Sequence, residues 1–342
     1  MNQQFSGKER ISVSSELLAN ALSLFKSTEA TFTIERTESG TGKMTAKNAR
    51  SSVVMPFTGE GTRAKLPDTP PLLGSVMTDE FKKAVTEVGE AAAPKGTSPV
   101  VLTGIHLSFN VEQSTMVMTS TDRYRLVQRE VPLELAPGVN SQALADHSLN
   151  LSADGLRMLL KDVSNDGMLK IYNAPMVDNA QESSSLFGIS SSFKIGLTGV
   201  MGGEYLRYKP LLQLQLPHVI TFTTADLLMG LQDAKKILSG ADKRVLLTVD
   251  GGNVALSAHT DTTNFDMDVD FVSTNVTEEV QLDFNVDFLY AAVKTCREDK
   301  VALRFMEPKR PAEIKEIRED GSEHGERRNI VMTLAPEPKR SE

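Results

Sequence analysis

The chain has 342 residues, of which 40% are hydrophobic, 24% charged and 6% aromatic, and it contains no tryptophan. That length suggests two or three domains with cores of their own, the ordinary apolar fraction excludes disorder, and no stretch approaches the ~18 apolar residues of a membrane span. The net charge of −8 means that any nucleic-acid contact must come from local clusters of Lys and Arg.

In chain order, five segments share a helix-start pattern: a small polar residue, a carboxylate about two positions on, then an apolar run. They begin at Ser14, Thr78, Ser152, Thr224 and Asn285, at intervals of 64, 74, 72 and 61 residues. Ser, Thr or Asn can cap an orphan backbone N–H, and the acid favours the positive end of the helix dipole. Five such starts at similar spacing indicate a repeated unit. Phe81, Val85, Val88 and Ala92 follow the second start on one helical face. Leu156, Leu160 and Val163 follow the third, and Phe288, Leu289, Ala292, Val293 and Cys296 the fifth. Strand-like runs come next, such as 245–249 and 254–258, joined by the turn Asp250-Gly251-Gly252-Asn253. The unit is therefore one short helix plus three or four antiparallel strands, an α+β fold. Pro-rich 66–71 and the region around Pro217 are the linker candidates. They divide the chain into residues 1–72 with one unit, 73–217 with two and 218–342 with two.

Each helix carries basic residues beside its apolar stripe: Lys26; Lys82 and Lys83; Arg157 and Lys161; Lys235 and Lys236; Lys294 and Arg297. A solvated surface explains any single pair. If all the helices share one side of a curved sheet, however, they present a dilute cationic lining suited to sequence-independent phosphate contact and sliding.

Catalytic motifs fail on inspection. Ser39-Gly40-Thr41-Gly42-Lys43-Met44 lacks the first glycine and the hydroxyl residue of a phosphate loop and reads as a hairpin turn. Asp266, Asp268 and Asp270 alternate as one face of a strand, and Phe271 stands where a calcium loop needs glycine. The histidines are scattered. Cys296 sits on an apolar stripe and reads as a core residue. As the single cysteine it excludes an internal disulfide and a Cys-based zinc site, in keeping with a reducing, cytoplasmic setting. No enzyme activity is expected.

The segment Met118-Thr119-Ser120-Thr121-Asp122-Arg123-Tyr124-Arg125-Leu126 resembles the Ala-Thr-Asp-x-x-Arg-Leu signature of the bacterial DNA polymerase III β sliding clamps, with an Arg-Tyr variant similar to actinobacterial members. In order, 102–105, 203–208, 236–239, 284–289 and 330–334 resemble further family segments. The resemblance implies the DNA clamp fold, with helices on the concave side and sheets outside. It also implies a homodimeric ring that encircles double-stranded DNA without base readout, uses no cofactor, and is loaded by a clamp loader and bound by DNA polymerase through short peptides. Carried over, the peptide pocket is Leu102, Thr121, Arg123, Tyr124, Arg125, Leu126, Leu206, Leu211, Ile330, Met332 and Leu334. The DNA-facing residues are the nine basic ones named above. The ring contact joins Phe25, Arg50, Val53 and Met55 to Ile237, Leu238 and the acidic strand Asp261–Asp268, including Asp266. The family has six units, so this chain is expected to lack the first half of the first domain. Thr333, Ala335 and Leu206 replace common family residues at the pocket, and a tail extends past Leu334. Residues 21–25 are similar to a clamp-binding pentapeptide, but Leu22 and Phe25 are expected in a helix stripe. A clamp-like accessory protein that binds such peptides without enclosing DNA is the alternative.

Overall fold

Among the described residues, each repeat from Leu72 onward opens with a strand that runs straight into a helix and then a three-strand antiparallel meander, the helix and meander as the repeated start pattern predicts. The computed structural model describes residues 12–13, 31–37, 42–47, 52–58, 71–161, 163–175, 185–191, 195–238, 243–250, 252–260 and 262–335. They fall in two units, residues 1–65 with 177–179 and residues 66–176 with 180–342.

The smaller unit holds β1 (Ser12–Val13), β2 (Thr31–Arg36), β3 (Gly42–Lys47) and β4 (Ser52–Thr58), ordered β1-β4-β3-β2. β2 and β3 pair antiparallel from Thr31↔Lys47 to Arg36↔Gly42, so the glycine-rich stretch read as a hairpin does join two paired strands. The expected helix after Ser14 lies outside the described residues.

The larger unit holds four repeats. The first is β5 (Leu72–Met77), α1 (Thr78–Gly89), β6 (Gly104–Asn110), β7 (Thr115–Thr121) and β8 (Arg125–Pro132). Short β9 (Glu134–Leu135) and α2 (Ser141–Ala145) lead to the second: β10 (Ser148–Ser152), α3 (Ala153–Leu160), β11 (Met168–Pro175), β12 (Ser185–Ser190) and β13 (Ile195–Gly199). The third is β14 (His218–Thr223), α4 (Thr224–Ile237), β15 (Arg244–Asp250), β16 (Asn253–His259) and β17 (Asn264–Asp268). After β18 (Ser273–Thr274) comes the fourth: β19 (Val280–Asn285), α5 (Val286–Lys294), β20 (Lys300–Phe305), β21 (Pro311–Ile317) and β22 (Arg327–Met332).

The lead strand of each of these repeats leaves its own meander and completes its neighbour's. β10 lies beside β6 and β5 beside β11, while β14 lies beside β20 and β19 beside β15. A further pairing, β8 with β22 through Leu126↔Ile330, fuses two meanders into one nine-stranded sheet. Backbone hydrogen bonds of this pairing join residues 73–217 to residues 218–342.

Helix caps follow the sequence in part. Ser152 accepts from Gly155 N at 3.2 Å, and Asn285 accepts from Asp287 N at 3.0 Å and Phe288 N at 3.3 Å. In α4 the cap is Thr223 rather than Thr224, accepting from Asp226 N at 3.2 Å. α1 has no side-chain cap; Thr78 instead donates its hydroxyl to Gly167 O at 2.9 Å. Thr224 likewise donates to Glu298 O at 2.6 Å, so both threonines tie a helix start to the turn before another strand. The apolar stripes pack as predicted: Phe81, Val85 and Val88 enter one core, and Leu289, Ala292 and Val293 the other. α3 stops at Leu160, and Val163 reaches the same core as Phe81 from the following turn.

Across the β8–β22 joint, α1 also holds an ion network. Glu87 accepts from Arg129 Nε at 2.5 Å and from Arg297 Nη2 at 2.9 Å, with Arg327 Nη2 at 3.6 Å. The Arg129 side chain is 3% exposed and also donates to Gln128 O at 2.7 Å and Asn329 Oδ1 at 3.1 Å. Burial pushes the Glu87 carboxyl up, but the surrounding guanidinium groups, Arg129 foremost, hold it below its usual value of 4.5. A carboxylate depressed in the folded state stabilises it above the unfolded pKa, and that contribution disappears as pH falls through the folded one. Glu87→Ala is expected to cost about 3–5 kcal/mol at neutral pH, because it strands a buried guanidinium. The deficit, read from urea unfolding midpoints, should shrink as the pH falls below the usual carboxylate value of 4.5 and through the lower folded one; an unchanged midpoint at pH 7 would refute the network's role.

Candidate functional site

Of the expected pocket residues, Arg125, Leu126, Ile330 and Met332 lie in β8 and β22. Leu126 and Ile330, opposite one another in the ladder, are buried in one apolar cluster with Val101, Tyr205 and Tyr208, and Leu212 packs against it. Leu102 is fully buried in the 3-10 turn of Val100–Thr103. Met332 N donates to Tyr124 O at 2.8 Å, which ties the closing strand to the signature turn, and Leu334 N donates to Asp283 O of β19 at 2.7 Å.

The Thr-Asp-Arg-Tyr-Arg turn is held by its own side chains. Asp122 Oδ1 accepts from Tyr124 N and Arg125 N, each at 3.0 Å, and its Oδ2 accepts from Arg125 Nε at 3.0 Å. Thr121 Oγ1 donates to Arg125 O at 2.6 Å and accepts from Arg123 N at 3.1 Å. These bonds hold Arg123 at φ 79°, in the left-handed region where a side chain is strained. The outcome is that Tyr124 stands out, 61% exposed, with its ring 6.5 Å from that of Phe288. Arg125 is engaged by its neighbours. It lies 4.6 Å over Phe288 and is bonded to Asp122 and Glu90 O.

Sequence reasoning missed Tyr205 and Tyr208 as site residues, although it singled out their segment. Tyr205 OH accepts from Thr121 N at 3.1 Å, and Tyr208 OH accepts from Thr119 Oγ1 at 3.3 Å. Burial pushes the Tyr205 hydroxyl up to about 12, so it remains a neutral hydrogen-bonding strut. Two tyrosines three apart just after Gly202-Gly203 were the available signal. Leu206, between them, and Leu211, three residues on, face solvent. Tyr124, Leu206 and Leu211 are thus exposed, while Leu126, Ile330, Val101, Tyr205 and Tyr208 form a buried apolar cluster.

The basic helix residues are mostly engaged. Lys83 pairs with Asp79 at 2.9 Å, Arg157 with Asp154 at 3.0 Å, Lys235 with Asp287 at 2.8 Å, Lys236 with Asp233 at 2.7 Å and Arg297 with Glu87 at 2.9 Å. Lys82 donates to Val163 O at 2.8 Å, and Lys294 lies 5.9 Å over Tyr290. Lys161 closes α3, and Lys26 lies outside the described residues. Several of these pairs are exposed i,i+3 or i,i+4 contacts, weak and screened by salt, so phosphate can compete for them.

Of the expected ring contact, Phe25, Arg50 and Asp261 lie outside the described residues. β17 is an edge strand with Asp266 and Asp268 exposed on alternate positions, matching the predicted acidic face. Met55 and Leu238 need correction. Met55 is 1% exposed and Leu238 is buried in the core beneath α4, so neither offers surface to another copy; outward-facing Val54, 56% exposed, and half-buried Val53 and Ile237 remain. Cys296 is half-buried with Sγ 3.4 Å from Ala292 O, and burial pushes its thiol up to about 12, which leaves it unreactive. Glu298, Glu316 and His324 cluster closely enough to hold a cation, but Glu298 and His324 already pair at 2.8 Å and Glu316 pairs with Arg327 at 2.7 Å.

Comparison with known proteins agrees with this geometry. The DNA polymerase III beta subunit, C-terminal domain, matches residues 217–326. The beta sliding clamp of Micrococcus luteus is 27% identical over 236 residues, 68% of this chain and 69% of that protein. The sliding clamp of Bacillus subtilis superposes with a TM-score of 0.72 at 17% identity, over 96% of this chain and 80% of that one. The Helicobacter pylori clamp bound to a DNA ligase peptide gives 0.68 at 15% identity, over 98% and 84%. A sequence match in the last third of the chain, a weaker one over two thirds of it and a shared fold over nearly all of it agree: residues 217–326 match the C-terminal domain of the DNA polymerase III beta subunit, and the chain is similar to the bacterial beta sliding clamps.

Proposed function

We propose that this protein acts as a sliding clamp: a non-catalytic processivity factor whose copies close around duplex DNA and tether a DNA polymerase through the pocket at the β8–β22 joint. The observation that carries the reading is that joint itself. It combines a buried apolar floor, a self-braced signature turn and an exposed tyrosine on a bonded two-domain frame. Such rigidity limits the ordering cost of binding a flexible peptide. The ligase peptide on the Helicobacter pylori clamp is a precedent for occupants of this class. In this reading the cations on α1, α3, α4 and α5 exchange their carboxylate partners for phosphate without base readout. Ring closure runs from the Phe25, Arg50 and Val53 surface to Ile237 and the acidic β17 of another copy.

A second reading, a clamp-like accessory that captures clamp-binding peptides without enclosing DNA, draws on the extent of carboxylate pairing among those cations. Light scattering separates the two: a micromolar solution with the mass of a multiple of 37.3 kDa fits the ring, and a strict monomer fits the accessory. Tyr124→Ala with Met332→Ala is expected to weaken binding of a Leu- and Phe-containing polymerase peptide at least tenfold, measured by fluorescence anisotropy, while leaving that mass unchanged. Undiminished peptide affinity would refute the pocket. A second substitution tests the bracing: Asp122→Asn should lower stability by about 1–3 kcal/mol, since three donors lose a charged acceptor, and thermal melting checks it.

A further inference from the structure

Two segments that carry expected pocket residues are fastened to each other. Thr121 N, at the start of the signature turn, donates to Tyr205 OH at 3.1 Å, and Thr119 Oγ1, further back on β7, donates to Tyr208 OH at 3.3 Å. Both tyrosines are buried, and the residues between and after them face out. Leu206, Arg207, Lys209 and Leu211 are exposed, as are Arg123 and Tyr124 of the turn. Apolar and cationic side chains are thus interleaved along both segments.

These cations, unlike those on the helices, are short of carboxylate partners. Asp122 is committed to Arg125, whose Nε lies 3.0 Å from its Oδ2. Arg123 donates from Nη2 to Ser98 O at 2.8 Å, in the loop that leads to the 3-10 turn of Leu102, and among the described residues it pairs with no carboxylate. Lys209 likewise pairs with none, and Arg207 meets Glu204 only at 3.8 Å, with side chains 89% and 80% exposed. Residues 121–125 and 204–211 together hold four basic side chains, Arg123, Arg125, Arg207 and Lys209, against two acids, Asp122 and Glu204, in a chain whose net charge is −8. The guanidinium fork of Arg123 keeps further N–H donors suited to a planar carboxylate.

We propose, on the pocket reading above, that the peptide taken here is acidic: it carries carboxylates beside its Leu and Phe anchors, and Arg123, with Arg207 and Lys209, selects for them. Apolar anchors supply the burial. Exposed cations of one sign speed the encounter and turn away a basic segment that carries the same anchors. The internal bonding of Asp122 matters here, because it neutralises Arg125 and leaves Arg123 as the outward charge of the turn. A single nucleic-acid strand would also meet cations, but Leu206 and Leu211 offer its bases neither a stacking ring nor a donor.

Fluorescence anisotropy on the full chain tests this with three labelled peptides that share Leu and Phe anchors and carry paired Asp, Asn or Lys residues beside them. The Asp peptide is expected to bind about three- to tenfold tighter than the Asn peptide at low salt. The Lys peptide should bind weakest, and the Asp advantage should fade at high salt. Arg123→Glu should bring the ratio of Asp to Asn affinity to unity or below. Arg123→Gly, which suits the positive φ and so guards against a folding defect, should reduce the ratio, as should Lys209→Gln. Equal affinities of the Asp and Asn peptides for the unsubstituted chain, or an undiminished ratio in all three variants, would overturn the selection. If the affinities are equal while Tyr124→Ala with Met332→Ala weakens both peptides, the pocket stands and the acidic preference alone falls. If neither peptide binds, both fall. Displacement of the bound Asp peptide by an equal concentration of a short single-stranded oligonucleotide would assign the cations to nucleic acid and likewise overturn the proposal.

Discussion

The lead strand of a repeat completes the sheet of its neighbour, and the rest of the architecture depends on that constraint. A three-strand meander with one short helix cannot bury both its edge and its core. Lending the lead strand solves the problem for two repeats at once, because each covers the other's first meander strand. The helix follows the lent strand without a loop, so its N-terminus is fixed by the neighbour's ladder. Thr78 and Thr224 mark the consequence: their hydroxyls bond the turn ahead of another strand instead of capping their own helices.

The same lacing explains how a buried apolar cluster forms at a joint between repeats. β8 and β22 are last meander strands, left free by the exchange, and they pair with each other. The signature turn lies at the end of that pairing, where Met332 N holds Tyr124 O. Glu87, Arg129 and Arg327 clamp the joint from the helix side, so the floor of Leu126 and Ile330 sits on a frame fixed by charge and backbone bonds alike. On the helix faces, by contrast, exposed ion pairs are interchangeable at little cost, which suits loose contact with a charged polymer.

Much of this was legible in the sequence where a period or a spacing encoded it. The apolar stripe of α5, the hairpin of β15 with β16 and the alternating acids of β17 were read from residue patterns alone. The lent strands were not, because pairing partners tens of residues away leave no local periodicity. The caps of α1 and α4 were misplaced by one residue for a related reason: a threonine's hydroxyl has several acceptors within reach, and tertiary contacts decide among them. Met55 and Leu238 were assigned to a contact surface by resemblance, while their apolar character pointed inward. Burial of Tyr205 and Tyr208 was hidden because a tyrosine can serve a core or a surface, and the hydrogen bond to its hydroxyl is visible only in three dimensions.

The most direct measurement of the clamp reading is topological. Protein loaded by a clamp loader and ATP onto a nicked circular duplex should stay bound through gel filtration at high salt, and should be released when the circle is cut once. Dissociation from the intact circle as fast as from the linear form would contradict enclosure, and with it the account of this protein as a ring on DNA.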